Sequence, residues 1–91
     1  MVADTPIIKG IYAITPEEAD TNVLVEKVEA CIRGGANLIQ YRAKQLSADL
    51  RYIQAECLKI LCDKYNTPLI INDDIELCLH LNAFGVHLGA K

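Results

Sequence analysis

The sequence predicts an α/β fold with parallel strands, and three observations lead to this prediction. Four short apolar runs alternate along the chain with three segments of helical periodicity. The apolar runs are rich in Ile, Tyr and Leu and are bounded by Gly, Pro, Asn or Asp, as is typical of strands. The resulting order, β-α-β-α-β-α-β, favours parallel strands joined by right-handed crossovers.

The four strands are predicted at the four apolar runs. In chain order they cover Ile7–Thr15, Asn37–Arg42, Pro68–Asn72 and Phe84–Gly89. The first predicted helix lies between strands 1 and 2 and ends at the glycine pair at positions 34 and 35, a residue type that tolerates the left-handed cap. Its apolar stripe consists of Leu24, Val28, Cys31 and Ile32.

The second predicted helix has Ser47 as its N-cap and runs toward Tyr65 and Asn66, because Pro68 forbids continuation. The third helix is short and covers roughly Asp74 to Leu81. The apolar stripe of the second helix consists of Leu50, Ile53, Cys57 and Leu61.

Size and charge limit what the chain can be. With 91 residues it suits at most one small domain. It is 52% hydrophobic and 23% charged, with a net charge of −3, and this mild acidity argues against nucleic-acid or membrane-surface partners. No apolar run approaches the roughly 20 residues of a membrane span. No signal peptide is recognised at the N-terminus.

The four cysteines indicate a reducing environment. Cys31, Cys57, Cys62 and Cys78 show no C-x-x-C spacing of a zinc or redox site. Because Cys31 and Cys57 fall on apolar helix stripes, we expect them to pack in the core. A cytoplasmic location fits this reduced set of thiols.

The second strand ends in polar residues that need an explanation. Ligands bind at the C-terminal ends of strands in parallel α/β folds, and side chains alternate across a strand. Gln40 and Arg42 therefore share one face, and Lys44 continues it into the loop. Arg42 can bind a phosphate bidentately, Lys44 adds a point charge, and Gln40 suits a heterocycle or an amide. The alternative is a solvated loop after an ordinary strand.

The third strand ends in Asn72, which is expected to point inward, followed by Asp73 and Asp74. We expect Asp74 to N-cap the short third helix. For Asp73 a role as ligand of a hard cation competes with capping, because Mg²⁺ sites use one or two carboxylates together with substrate phosphates. A carboxylate one strand away from Arg42 and Lys44 suggests a metal-bridged diphosphate.

Strands 1 and 4 add two further candidates. Tyr12 is in phase with an inward face and either stacks on a ring or serves in packing. His87 is expected to point inward, with a hydrogen-bonded core histidine as the alternative, whereas His80 is expected on the surface. The sequence contains no glycine-rich phosphate loop, and no nucleophilic triad is recognised.

The length indicates an incomplete domain. A (β/α)₈ barrel typically needs about 250 residues, and the chain supplies four strands and three helices. A doubly wound sheet would lack the helix that covers its fourth strand. Either arrangement leaves apolar surface and a strand edge uncovered. We therefore expect a fragment of a larger domain.

Four segments together resemble the thiamine phosphate synthase (thiamine-phosphate pyrophosphorylase) family: "GIYAIT", "GGANLIQYRAK", "PLIINDD" and "FGVHLGAK". The resemblance covers nearly the whole chain but only the first half of the family's barrel. It implies that residues 1–91 are the N-terminal half of a (β/α)₈ TIM barrel, with its first four strands and three helices. The implied activity is that of a transferase of thiamine biosynthesis, which joins 4-amino-5-hydroxymethyl-2-methylpyrimidine diphosphate to thiazole phosphate. The products are thiamine phosphate and diphosphate, and Mg²⁺ is the implied cofactor.

The resemblance also implies a role for each candidate residue. The leaving diphosphate would be stabilised by Arg42, Lys44 and Mg²⁺, which makes these two cations the catalytic residues and requires no nucleophilic side chain. By position, Gln40 would face the pyrimidine, Arg42, Lys44 and Asn72 would hold the diphosphate, Asp73 would bind Mg²⁺, and Tyr12 and His87 would line the pyrimidine pocket.

The chain departs from the family pattern at two positions. Ala43 stands where an acidic residue is common, and Ala90 stands where Gln is usual. The chain also stops at Lys91, one residue before the family's second Mg²⁺ ligand, so we expect the chain alone to be inactive. Two alternatives stay open. One is a related thiazole tautomerase, and the other is a non-catalytic half-barrel that binds a phosphorylated ligand or self-associates through its uncovered strands.

Overall fold

A computed structural model describes residues 11–72, 74–81 and 85–87 of the chain. The predicted alternation of strands and helices is confirmed for these residues, with somewhat shorter strands. Residues 7–10, 84, 88 and 89, which the sequence assigned to strands, lie outside the described residues. In chain order the elements are β1 (Ile11–Ile14), α1 (Thr21–Arg33), β2 (Ala36–Tyr41), α2 (Ala48–Lys64), β3 (Leu69–Asn72), α3 (Ile75–Leu81) and β4 (Gly85–His87).

The strands form one parallel sheet in the order β1-β2-β3-β4. Each helix therefore connects a strand to its immediate neighbour, and the C-terminal ends of the strands meet at one edge of the sheet. The register pairs Tyr12 with Leu38 and Gln40 with Ile70. The parallel α/β arrangement is thus confirmed, while closure into an eight-stranded barrel stays a prediction.

Local side-chain chemistry fixes where the helices begin. The Oδ1 atom of Asp20 accepts the backbone N–H groups of Asn22 and Val23, at 3.0 and 3.2 Å, and caps α1. Ser47 caps α2, as predicted, by accepting the N–H of Leu50 at 3.2 Å. No helix in the described part of the chain combines the length and apolarity needed to cross a membrane.

Local backbone conformation also determines where α1 and α2 end. The backbone N–H of Gly34 donates to the carbonyl of Ala30 at 2.9 Å, and Gly35 adopts a φ of 121°, a left-handed conformation that favours glycine. After α2, Asn66 takes the left-handed conformation with a φ of 55°. These positions turn the chain back toward the sheet at β2 and β3.

The core lies between the sheet and the helices. Alternation sends Ile39, Tyr41 and Ile71 toward the helical layer, where all three are buried, as expected for Ile39 and Tyr41. The opposite face of β1 is open, since Tyr12 is 51% exposed and Ile14 is 52% exposed. The helical side of the core is made of Leu24, Val28, Ala55, Leu58, Leu61 and Cys62.

The predicted apolar stripe of α2 is wrong in phase, although its member Leu61 is buried as predicted. Ile53 is 51% exposed, while Gln54 is fully buried. The buried face centres on Leu58 and is rotated by about 100°, one residue, from the predicted stripe. The rotation brings Gln54 into contact with Tyr41 and the loop after β1, where it forms two hydrogen bonds.

The prediction that Cys31 packs in the core is also wrong, because this thiol is exposed. Cys57, for which the same was expected, is only partly buried. With an advance of about 100° per residue, Cys31 lies at the edge of an arc whose buried members are Leu24 and Val28. Cys62, in contrast, is fully buried. His80 is exposed, as predicted.

Candidate functional site

Thr15 ties the C-terminal ends of β1 and β2 together. Its Oγ1 atom accepts the backbone N–H of Arg42 at 3.0 Å and lies 3.4 Å from the carbonyl oxygen of Arg42, to which it donates. The N–H of Thr15 in turn donates to the carbonyl of Gln40 at 2.9 Å. Because Thr15 is buried, these bonds are partly shielded from water and hold the backbone that carries Arg42.

Glu17 holds the next part of the same loop. One carboxylate oxygen accepts the N–H of Lys44 at 3.0 Å, and the other accepts the N–H of Gln45 at 2.8 Å. A carboxylate that accepts two backbone N–H groups forms charge-assisted hydrogen bonds. Thr15 and Glu17 were not among the sequence candidates. The available signal is their position, since polar residues directly follow the first strand.

Gln40 and Tyr12 form a pair on the face of the sheet that is turned away from the helices. The side-chain amide of Gln40 donates a hydrogen bond to the hydroxyl of Tyr12. Gln40 is 2% exposed, whereas half of the Tyr12 side chain is open. The two residues therefore share a face, as alternation predicted, and a ring held by the amide would also meet the phenol.

Arg42, Lys44 and Asn72 lie at the same edge of the sheet. The ladder between β2 and β3 ends with Tyr41 opposite Ile71, so Arg42 and Asn72 each follow this last pair by one residue. Arg42 and Lys44 have exposed side chains, and Asn72 is partly buried. A guanidinium, an ammonium and an amide, groups of the kind that bind anions, thus lie at the ends of two neighbouring strands.

The remaining candidates are described only in part. The backbone of His87 lies opposite that of Asn72 in the ladder between β3 and β4, and its side chain is outside the described residues. Asp73 also lies outside the described residues. The Oδ1 atom of Asp74 accepts the N–H of Leu77 at 2.9 Å, so the predicted cap of α3 is confirmed.

A cavity of about 180 Å³ opens where β2 and β3 end, on the side of the helices. It brings Lys44 and Asn72 together with two residues of the helical layer, Arg51 and Asp74. Arg51 was not a sequence candidate. Gln40, Arg42 and Tyr12 do not line this cavity. The candidate residues at this edge therefore form two groups, of which Lys44 and Asn72 line the cavity and the other three do not.

Tyr41 lines this cavity, and its hydroxyl belongs to a buried hydrogen-bond network. Its hydroxyl donates to Oε1 of Gln54 at 2.7 Å, and the amide nitrogen of Gln54 donates to the carbonyl of Glu18 at 2.6 Å. The pKa of Tyr41 is raised to about 12, mainly by burial. The positive charge of Arg51 opposes this rise, and the negative charge of Glu17 adds to it. The hydroxyl therefore stays protonated at neutral pH and acts as a donor.

Among residues 11–72, 74–81 and 85–87, no group of three or more His, Cys, Asp or Glu side chains is placed to hold a metal ion. A metal at this edge would therefore depend on Asp73, on amide or water oxygens, and on oxygens of the ligand.

Comparison with known families decides the relationship. The model of the thiamine monophosphate synthase family matches residues 11–91. The chain belongs to this family. It is 50% identical to the thiamine-phosphate synthase of Janthinobacterium sp. (strain Marseille) over 82 residues, which cover 90% of the chain and 40% of that relative.

Other curated relatives agree. The thiamine-phosphate synthase of Methylobacillus flagellatus is 52% identical over 84 residues, and that of Nitrosospira multiformis is 49% identical over 84 residues. Each alignment covers 92% of this chain and 40% and 36%, respectively, of the relative. The chain thus spans about 40% of the length of the curated relatives it matches.

Proposed function

We propose that the chain forms the pyrimidine diphosphate side of a thiamine phosphate synthase active site. The full reaction joins 4-amino-5-hydroxymethyl-2-methylpyrimidine diphosphate to thiazole phosphate and yields thiamine phosphate and diphosphate. The observation that carries the proposal is the cationic edge, where Arg42 and Lys44 follow β2 and Asn72 ends β3. Membership of the family and relatives named thiamine-phosphate synthase support it.

The two cations act on the leaving group. As the bond to the pyrimidine methylene carbon breaks, negative charge develops on the diphosphate. Arg42 binds phosphoryl oxygens bidentately, and Lys44 supplies a point charge from the side of the helices. Because Thr15 and Glu17 accept the backbone N–H groups of Arg42 and Lys44, the backbone from which both cations extend is held in place before the reaction.

The pyrimidine lies against the inward face of β1 and β2. The amide of Gln40 can donate to a ring nitrogen or accept from the exocyclic amino group, and its geometry is set by the bond to Tyr12. The exposed half of the Tyr12 ring can stack on the heterocycle. We assign His87 to the same pocket because its backbone lies in β4, opposite Asn72.

The donor atoms at the end of β3 fit Mg²⁺. Asn72 and Asp74, on either side of Asp73, carry oxygen donors and line the cavity at this edge, and Mg²⁺ prefers oxygen ligands. We propose Asp73 as the ligand that holds the ion, because one oxygen of Asp74 already caps α3. When bound, Mg²⁺ neutralises part of the charge of the diphosphate.

The same function implies a (β/α)₈ barrel. Four parallel strands in sequential order are what such a barrel uses, and its inward face would be the open face that carries Tyr12 and Ile14. The free thiols of Cys31, Cys57 and Cys62 are consistent with a cytoplasmic enzyme.

Titration calorimetry with inorganic diphosphate and Mg²⁺ tests the proposal. Arg42→Ala is expected to weaken binding at least tenfold, on the order of 1.4 kcal/mol or more. Arg33→Ala, at the exposed end of α1, is the matched control and is expected to bind like the unaltered chain. Equal affinities of Arg42→Ala and the unaltered chain would contradict the proposal.

Activity gives a second test. Because the chain aligns with about 40% of its relatives' length, it is expected to form no thiamine phosphate from the two precursors and Mg²⁺. Synthesis by the chain alone would show that the half-site interpretation is wrong. A thiazole tautomerase is the less favoured alternative, since it has no need of Arg42 and Lys44. An assay of thiazole carboxylate phosphate aromatisation distinguishes the two functions.

A half-barrel that pairs with a partner is the second candidate. The observation that favours it is the open face of β1, where Tyr12 and Ile14 are half exposed. Parallel sheets are normally covered on both faces, so this face favours association.

A further inference from the structure

Arg51 carries a buried donor that has no hydrogen-bond partner among the residues that the structure describes. It lies in the first turn of α2, where its backbone N–H donates to the carbonyl of Ser47 at 3.0 Å. Its side-chain Nε–H is buried and has no hydrogen-bond partner. Buried donors are almost always paired in native proteins, so an unpaired one calls for a physical explanation. The position of the side chain supplies that explanation.

The Arg51 side chain lines the cavity of about 180 Å³ at the ends of β2 and β3. The cavity is several times larger than the volume of about 30 Å³ that one water occupies in the liquid. Lys44 and Asn72 line the same cavity. Among the described lining residues, the two cations Lys44 and Arg51 stand against one carboxylate, that of Asp74, so the lining carries a net positive charge that attracts an anion.

The acidic neighbour does not pair with this guanidinium. Asp74 lines the same cavity, and its Oδ1 atom accepts the N–H of Leu77 at 2.9 Å. The structure shows no ion pair between Arg51 and Asp74, both of which are described residues. The hydroxyl of Tyr41, also in the lining, donates to Gln54 rather than to the cavity. The Nε–H donor is therefore left to an incoming acceptor.

We infer that Arg51 is a further anion-binding residue of this site, whose Nε–H binds a phosphoryl oxygen in the cavity that it shares with Lys44 and Asn72. This inference rests on the proposed function, which places a diphosphate at Lys44 and Asn72. A diphosphate has two phosphoryl groups, and the cationic edge has two parts. One group would meet Arg42, and the other would enter the cavity that Arg51 lines.

Nuclear magnetic resonance of the ¹⁵N-labelled chain tests this directly, because arginine Nε–H groups give their own cross-peaks. The Arg51 cross-peak is identified by its loss in Arg51→Lys. Inorganic diphosphate with Mg²⁺ is expected to shift this cross-peak and to slow its exchange with water, whereas Mg²⁺ alone leaves it unchanged. A shift of equal size with Mg²⁺ alone would overturn the inference.

Affinity gives the second arm. Arg51→Lys keeps the charge but lacks the Nε–H donor, and it is expected to bind diphosphate about tenfold more weakly. Arg33→Lys is the matched control and is expected to bind normally. If the unaltered chain binds diphosphate while its Arg51 cross-peak does not move, the inference is wrong and the proposed function stands. If the unaltered chain does not bind diphosphate, both are wrong. The cross-peak experiment is carried out on the unaltered chain, and the Arg51→Lys variant serves there only to assign the cross-peak.

Discussion

The side chain of Glu17 accepts the backbone N–H of Lys44 at 3.0 Å, across 27 positions of the sequence. Its second oxygen accepts the N–H of Gln45 at 2.8 Å. The loop after β1 therefore holds the loop after β2, and the position of Lys44 depends on both strand ends. The backbone of Lys44, a proposed diphosphate ligand, is thus held by a residue that need not touch the ligand.

Glu17→Gln is expected to loosen this loop. Glutamine offers one acceptor oxygen instead of two and carries no charge, so the two backbone donors lose charge-assisted bonds. Since the bonds are exposed to solvent, the expected cost is about 1 kcal/mol of unfolding free energy. Hydrogen exchange measured residue by residue should be faster at Lys44 and Gln45. The control Glu26→Gln, on the exposed face of α1, should leave both amides unchanged. Unchanged exchange in Glu17→Gln would show that the carboxylate does not hold the loop.

Tyr41→Phe is expected to destabilise the fold through Gln54. The substitution removes the donor to Oε1 of Gln54, a fully buried residue, and leaves that oxygen unpaired. An unpaired buried acceptor costs about 1–3 kcal/mol, which urea unfolding would measure. Tyr52→Phe is the matched control, because the hydroxyl of Tyr52 bonds to His80 at the exposed surface. A loss in Tyr41→Phe no larger than that in the control would contradict the buried role.

Tyr41 also predicts how stability changes in alkali. Burial raises the pKa of Tyr41 from 10.0 to about 12, so the folded chain keeps a proton that the unfolded chain releases near pH 10. The unfolding free energy should therefore fall as the pH rises from 10 to 12 and be insensitive to this group below pH 10. The pKa of Cys62, raised to about 11 mainly by burial, acts in the same direction from pH 9 upward.

Comparing Tyr41→Phe with the unaltered chain isolates the tyrosine. The variant should show a shallower decline of unfolding free energy between pH 10 and 12, with the part that belongs to Cys62 retained. Urea unfolding at several pH values gives the slopes. Identical slopes in the two proteins would mean that the Tyr41 hydroxyl titrates alike in the folded and unfolded chains.

The order of strands and helices could be predicted from the sequence because its signals are local. Ser47 as N-cap, Asp74 as cap and the glycines after α1 each act within a few residues. The phase of α2 could not be predicted this way. Gln54 is buried because Tyr41 and the carbonyl of Glu18 satisfy its amide, and those partners lie 13 and 36 positions away.

The candidate site divides in the same manner. Alternation and the rule that ligands bind at C-terminal strand ends predict Gln40, Arg42, Lys44 and Asn72 as site residues, and the structure places them at the C-terminal ends of β2 and β3. The residues missed were Thr15 and Glu17, which hold the backbone after β2, and Arg51, which lines the cavity with Lys44 and Asn72. Their contacts form only in the folded chain, where the loop after β1 and the first turn of α2 lie next to the end of β2. Spacing rules within one segment do not predict contacts between distant segments.

The exposed apolar face of β1 leads us to expect that the chain self-associates. Ile14 is 52% exposed on a parallel sheet, a kind of sheet that is normally covered on both faces. The chain is expected to self-associate in a concentration-dependent way, and Ile14→Lys should shift it toward the monomer, because a buried ammonium opposes contact. Sedimentation velocity over a range of concentrations measures this. Ile60→Lys, at a 72% exposed position of α2, is the matched control and should associate like the unaltered chain. A chain that sediments as a monomer at every concentration would show that this face does not drive association.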